Sequence, residues 1–69
     1  MQTTVNVSGM TCQHCVRSVT EELGELDGVD NVDVELVPGG VSHVVVTASR
    51  ELSDEEVAEA VEDAGYSIG

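Results

Sequence analysis

Cys12 and Cys15 are the residues whose type and spacing could do chemistry, and the chain has two cysteines in all. Thiols separated by two residues can turn toward one point where the backbone enters the first turn of a helix. Unpaired N–H groups and the helix dipole at that place favour thiolates over thiols. Thiolates bind metals, and soft sulfur ligands select Cu(I) over magnesium or calcium. The spacing therefore predicts a soft-metal site with Cys12 and Cys15 as ligands.

Other ligand types are scarce around this pair. A closed structural zinc site usually has four ligands, and beyond the cysteines the chain offers His14, His43 and carboxylates. We expect His14, in the first helical turn, to face solvent, and His43 to be an ordinary sheet residue. Met10 is expected to be hydrophobic filling rather than a thioether ligand. The chain therefore offers few further ligands for a four-coordinate zinc site.

Length and charge exclude several classes of function. Sixty-nine residues predict a single domain, 1–69, with a modest core and no room for a separate substrate cleft. The formal charge is −12, with 14 acidic residues against Arg17 and Arg50, so nucleic acid and anionic membrane surfaces would be repelled. Tyr66 is the single aromatic residue, which argues against base stacking. A basic protein surface is the natural complement.

Targeting signals are missing from this pattern. The apolar runs are too short to span a bilayer, and residues 1–4 do not resemble the start of a signal peptide. We therefore predict a cytoplasmic protein without membrane insertion. In a reducing cytoplasm the cysteines are expected to be ligands or redox groups rather than a structural disulfide.

Hydrophobic periodicity predicts the elements that hold the cysteines. Alternation at Val5 and Val7 indicates a strand that Gly9 ends, and helical spacing of apolar residues indicates a helix over about 14–25. Alternation then predicts a hairpin with a turn at 38–40. Its inward positions are Val32, Val34 and Leu36 on one strand, and Val44, Val46 and Ala48 on the other.

The last third of the chain completes the pattern. Ser53 and Glu56 match a capping box at the start of a second helix, which Gly65 ends, and residues 66–68 can form a short strand. The order βαββαβ predicts an α+β, ferredoxin-like sandwich, a four-stranded antiparallel sheet with two helices on one face. Right-handed crossovers place Tyr66 near the cysteine loop.

These residues resemble a known family. Gly9-Met10-Thr11-Cys12-x-x-Cys15 after the first strand, together with Gly65-Tyr66 after the second helix, is similar to the heavy-metal-associated domain over essentially the whole chain. Within this family, the chain resembles the free-standing bacterial copper chaperones of the CopZ type. This resemblance implies Cu(I) bound by Cys12 and Cys15, Met10 packed under the loop, and Tyr66 as the neighbouring aromatic residue. Zinc- and cadmium-handling members often have Asp before the first cysteine, where this chain has Thr11.

The resemblance also implies a partner and a mechanism. The chain would be a carrier rather than an enzyme, and would pass Cu(I) by ligand exchange to a P-type copper-exporting ATPase. The apo protein would be a monomer, and a metal-bridged homodimer of the loaded form stays open. Two alternatives also stay open: an excised metal-binding domain of a copper or heavy-metal ATPase, or a mercury-binding relative. A small thiol–disulfide oxidoreductase is the remaining rival, since C-x-x-C serves that chemistry too.

Overall fold

Alternating valines determine which face of the sheet is buried. In the computed structural model, which describes residues 1–69, Val5 and Val7 of the first strand share a buried face with Val44 and Val46 of the third. In β1 the polar residues Gln2, Thr4 and Asn6 fill the alternate positions and face solvent, as the period of two requires. The elements are β1 Gln2–Ser8, α1 Gln13–Gly24, β2 Val29–Glu35, β3 Val41–Ala48, α2 Asp54–Asp63 and β4 Ser67–Ile68.

The strands form one antiparallel sheet in the order β2-β3-β1-β4. β1 and β3 occupy its centre, and β1 pairs with β3 along its whole length, from Gln2 opposite Thr47 to Ser8 opposite Val41. β4 is much shorter and pairs with the last two residues of β1. The predicted ferredoxin-like arrangement is confirmed.

Both helices contribute to the core on the valine face. α1 buries Val19 and Leu23, and α2 buries Val57, Ala60 and Val61. These residues belong to one cluster of 12 buried hydrophobic residues that also holds the inward valines of the sheet. Neither helix is long and apolar enough to cross a membrane.

The start of β2 differs from the sequence prediction. Alternation indicated a strand from Val32, whereas β2 begins at Val29 and ends at Glu35, which leaves Leu36 outside. A shift in register between Val29 and Asn31 explains the difference. The extra residue of such a bulge breaks the period of two, so the pattern becomes regular only after it.

Arg50 joins the segments at the end of the molecule where α1 stops and α2 starts. Its Nε donates to the Asp27 carbonyl at 2.8 Å, and one Nη donates to the Glu51 carbonyl at 3.0 Å. The guanidinium also bonds both carboxylate oxygens of Glu56, at 2.7 and 3.1 Å. Glu56 closes the predicted capping box with Ser53 as well. This end of the fold is therefore held by charge-assisted bonds.

Glu56→Gln should lower the melting temperature by a few degrees at neutral pH, because the amide loses the charge that binds Arg50. The pKa of Glu56 falls from 4.5 to about 2, chiefly through the hydrogen bond from Arg50 and then that from the Ser53 backbone. A carboxylate with a depressed pKa stabilises the fold above its unfolded value, near 4.5, and this contribution disappears as the pH falls through about 2.

The difference in melting temperature between the native protein and Glu56→Gln should therefore shrink as the pH is lowered across this window. Circular dichroism melts at stepped pH values measure it. Glu55→Gln is the matched control, because Glu55 is exposed, and it should follow the native protein. A difference that keeps its full size in strong acid would contradict the role given to the carboxylate.

Candidate metal centre

The cysteines lie where β1 turns into α1. Gly9 follows β1 with a φ of +94°, a left-handed conformation that glycine adopts without strain, and an added Cβ would lie 3.5 Å from the Tyr66 ring. Cys12 is the N-cap residue of α1, in extended conformation, and its carbonyl accepts the N–H groups of Cys15 and Val16 at 3.1 and 3.3 Å. Cys15 therefore lies in the first turn of the helix, as predicted.

This turn brings the two sulfurs together. The Sγ atoms of Cys12 and Cys15 are 3.6 Å apart, and both residues are free thiols. Cys12 is exposed, whereas Cys15 is partly buried and packs against the core. The Thr11 hydroxyl lies 3.9 Å from the Cys15 sulfur. Solvent therefore reaches the pair at Cys12, whereas Cys15 is held in place by its contacts with the core.

The surroundings of Cys15 favour its thiolate. Its pKa is lowered from 9.0 to about 6, first by a backbone hydrogen bond from Thr11, then by the Tyr66 side chain and the Cys12 backbone. The same hydrogen bond to Cys15 is the main reason why the pKa of Tyr66 is raised. At neutral pH Cys15 is therefore mostly ionised, and the thiolate is the form that binds metals.

Met10 anchors the cysteine loop to the core. Its side chain has 0% exposure, and its carbonyl accepts the N–H of Gly39 at 3.4 Å. The turn that contains Gly39 is itself held by Ser42, whose buried hydroxyl accepts the N–H of Val37 at 2.9 Å. The cysteine loop is therefore held by the packing of the Met10 side chain in the core and by a hydrogen bond to the β2–β3 turn.

The histidines lie apart from the sulfur pair. His14 is exposed, and His43 lies in β3, where its Nδ1 is 3.0 Å from Oδ1 of Asn6 across the strands. No group of three or more histidine, cysteine or carboxylate side chains could hold an ion together. Tyr66, in contrast, reaches the loop as predicted, through its contacts with Cys15 and Gly9.

Two supports of the site are absent from the sequence predictions. From the sequence, Thr11 is interpreted only as the absence of the Asp that zinc- and cadmium-handling members often have at this position. Its backbone hydrogen bond is nevertheless the largest cause of the lowered pKa of Cys15. Its place immediately before the first cysteine could have drawn attention to it. The contact between Gly39 and Met10 joins segments far apart in the chain, and no local pattern signals it.

The family is shown by comparison with known proteins. A family model described as the heavy-metal-associated domain matches residues 4–67. The copper chaperone CopZ of Bacillus subtilis is 45% identical over 67 residues, which cover 97% of this chain and 94% of that protein. The chain therefore belongs to the heavy-metal-associated domain family, and its relatives include bacterial copper chaperones of the CopZ kind.

Solved structures agree with this assignment. A CopZ metallochaperone has a TM-score of 0.85 and 34% identity, with all of both chains covered. A copper-binding domain from a P-type ATPase has a TM-score of 0.75 and 29% identity, covering 100% of this chain and 92% of that domain. The βαββαβ fold of this chain is thus shared with proteins named for copper.

Met10→Ala should destabilise the fold by about 2–5 kcal/mol, the usual effect of truncating a buried methionine. Met10→Leu, which nearly keeps the volume, should cost less than about 1.5 kcal/mol. Urea unfolding measures both. Because the thioether is buried in the core, the leucine variant should give the same result as the native protein in a Cu(I) titration. Weakened Cu(I) binding by a fully folded leucine variant would mean that the sulfur of Met10 is needed.

Tyr66→Phe should raise the pKa of the Cys15 thiol, because the phenol donates a hydrogen bond to its thiolate. The measurement is the rate of iodoacetamide alkylation against pH in a Cys12→Ser background, which leaves one thiol. With Tyr66 present the midpoint should lie well below 9.0, and it should move upward with Phe. An unchanged midpoint would show that the backbone bonds from Thr11 and Cys12 lower the pKa without help from the phenol. Thr20→Ser, a substitution on α1 outside the loop, provides the control.

Proposed function

We propose that this chain is a cytoplasmic Cu(I) carrier that holds the ion between Cys12 and Cys15 and passes it to a P-type copper-exporting ATPase. It is a binding and transfer protein without catalytic turnover. The observation that carries the proposal is the sulfur pair, 3.6 Å apart on a surface loop, with no third ligand grouped beside it. Relatives named as copper chaperones support the choice of cargo.

The spacing of the sulfurs suits one ion with few ligands. With metal–thiolate bonds of about 2.3 Å, sulfurs 3.6 Å apart hold an ion in a bent arrangement, and a shift of about 1 Å makes it linear. Exposed Cys12 precedes the helix, so its side chain is the one freer to make this shift. Two thiolates are enough for Cu(I), whereas a structural zinc site normally takes four ligands.

Low coordination also explains how the ion leaves. A thiolate of the partner adds to bound Cu(I) and gives a three-coordinate intermediate, after which one of the original sulfurs departs. The metal keeps its oxidation state, and the number of metal–sulfur bonds returns to two after each exchange. We assign the first departure to Cys12, because it is exposed, while Cys15 is held by Thr11 and Tyr66. Tight binding and rapid transfer are then compatible.

The charge distribution supports transfer to a protein partner. Residues 1–20 contain no Asp or Glu, so the cysteine loop is itself locally near neutral. The rest of the chain brings the formal charge to −12, which steers the molecule toward a basic surface. The copper-binding domain of a P-type ATPase that shares this fold supports the class of partner.

Thiol–disulfide exchange is the second candidate, because close thiols and a lowered cysteine pKa also serve that chemistry. A substrate for it would have to bind beside the sulfurs. The two surface grooves of the molecule are lined by other residues, and neither contains a cysteine. The carrier is therefore the better supported function. An insulin-reduction assay separates the two, since only an oxidoreductase would accelerate precipitation of insulin.

Replacing either cysteine should abolish chelator-resistant Cu(I) binding, because one thiolate cannot form the pair. Anaerobic titration of Cys12→Ser, Cys15→Ser and the native protein against a Cu(I) chelator measures this, and Ser18→Ala is the control on the same helix. Undiminished Cu(I) uptake by the double serine variant would refute the proposal.

Transfer of Cu(I) to an isolated ATPase domain should slow as the salt concentration is raised, because salt screens the electrostatic steering.

A further inference from the structure

A second surface feature lies beside β1, on the side away from β3. It is a groove of about 580 Å³ between the free edge of β1, the outer side of α2 and the end of β4. Its lining comes from residues 3–6 and 67–69 and from four residues of α2, none of them in the cysteine loop. The groove is therefore separate from the candidate metal centre.

The edge of β1 along this groove is only partly paired. β4 contacts Val7 and Ser8, and the N–H of Gly69 donates to the Asn6 carbonyl at 2.9 Å. On the other side, the Met1 carbonyl accepts the N–H of Ala48 at 2.8 Å, so odd-numbered residues of β1 direct their backbone groups to β3. Alternation along an antiparallel strand then directs the N–H and C=O of Gln2 and Thr4 away from β3, beyond the reach of β4.

The walls of the groove specify what could fill this edge. Val5 and Val57 are buried at its apolar side, and Ile68 stands at its rim with 47% of its surface exposed. Asp54 and Glu62 are exposed carboxylates among the lining residues, which include no Lys, Arg or His. An extended segment would thus meet free backbone groups along one side, with apolar surface and negative charge along the other.

We propose that this groove binds an extended, basic segment of a partner protein as an added strand next to β1. Its backbone would pair with Gln2 and Thr4, and lysine or arginine at alternate positions would reach Asp54 and Glu62. Addition of a strand to a free sheet edge is an established mode of peptide recognition, in which main-chain bonds give affinity and side-chain pockets give specificity. Because the lining excludes the cysteines, both could be engaged by a partner at once.

A second copy of the chain does not fit the groove as well. Each molecule carries a formal charge of −12 and has two basic side chains apart from its histidines. One of these, Arg50, already binds Glu56. Two copies paired along β1 would bring like charges together without supplying cations for Asp54 and Glu62, whereas a basic segment supplies them.

The test uses an acetylated and amidated hexapeptide of alternating valine and lysine, added to the full chain labelled for NMR. We expect amide shifts confined to residues 2–6 and 67–69 and to the lining residues of α2 within 54–62, and slower hydrogen exchange of the Thr4 amide. A peptide methylated on alternate backbone nitrogens should lose binding, because it cannot pair with a strand. A peptide with glutamate in place of lysine should not bind.

Protein variants separate the edge from general acidity. Asp54→Asn with Glu62→Gln should weaken binding about threefold to tenfold, the range expected for two exposed ion pairs. Glu21→Gln with Glu55→Gln removes the same charge elsewhere and should leave binding within about twofold. The variant that combines Cys12→Ser with Cys15→Ser should bind the peptide as the native protein does. Peptide binding is therefore tested independently of copper transport.

Several results would overturn the proposal. These are shifts that extend over α1, equal binding of the N-methylated peptide, an equal effect of the two charge-neutralised pairs, or no binding. Sedimentation that shows the chain alone to be a dimer, with the same residues 2–6 at its interface, would assign the groove to a second copy instead.

Discussion

The burial of Met10 is the interaction on which the metal centre depends. A methionine with no exposed surface, two residues before the first cysteine, ties the loop to the same core that holds the sheet and both helices. Without this contact the cysteine loop would be held by the ends of β1 and α1, by the bond from Gly39 and by the packing of Cys15. The loop can thus be exposed at its sulfurs while its base is as fixed as the core itself.

In the proposed carrier the two cysteines would divide the tasks of holding and exposing the ion. Cys15 lies on the helix, packs against the core and is kept ionised by bonds from Thr11 and Tyr66. Cys12 precedes the helix and is open to solvent. Sulfurs of the same chemical type therefore occupy different mechanical and electrostatic environments. This asymmetry suits a protein that must receive and release a metal, since one ligand can stay in place while the other exchanges.

The sequence allows much of this architecture to be predicted, because its local signals agree with one another. Valine alternation defines β1 and β3, the capping box of Ser53 and Glu56 locates α2, and chain order brings Tyr66 to the cysteines. The heavy-metal-associated family could be identified from the loop and from Gly65-Tyr66. In such segments local pattern and tertiary packing make the same demand.

Features that depend on tertiary contacts are less accessible from the sequence. The bulge near Asn31 breaks the alternation that would have revealed the start of β2, and the bond from Gly39 to Met10 joins distant segments. The free edge of β1 follows from the shortness of β4, which pairs over two residues. The hydrophobic pattern of the sequence does not show how many residues of β4 pair with β1.

The guanidinium of Arg50 separates the bonds that join the two helices from the end of the molecule that carries the cysteines. It joins the loop after α1, the loop before α2 and the first turn of α2. The cysteines lie at the other end of α1, which at 12 residues is about 18 Å long. The bonds of Arg50 therefore lie at the end of the molecule opposite the sulfurs, and a change in the position of the Cys12 side chain leaves them unbroken.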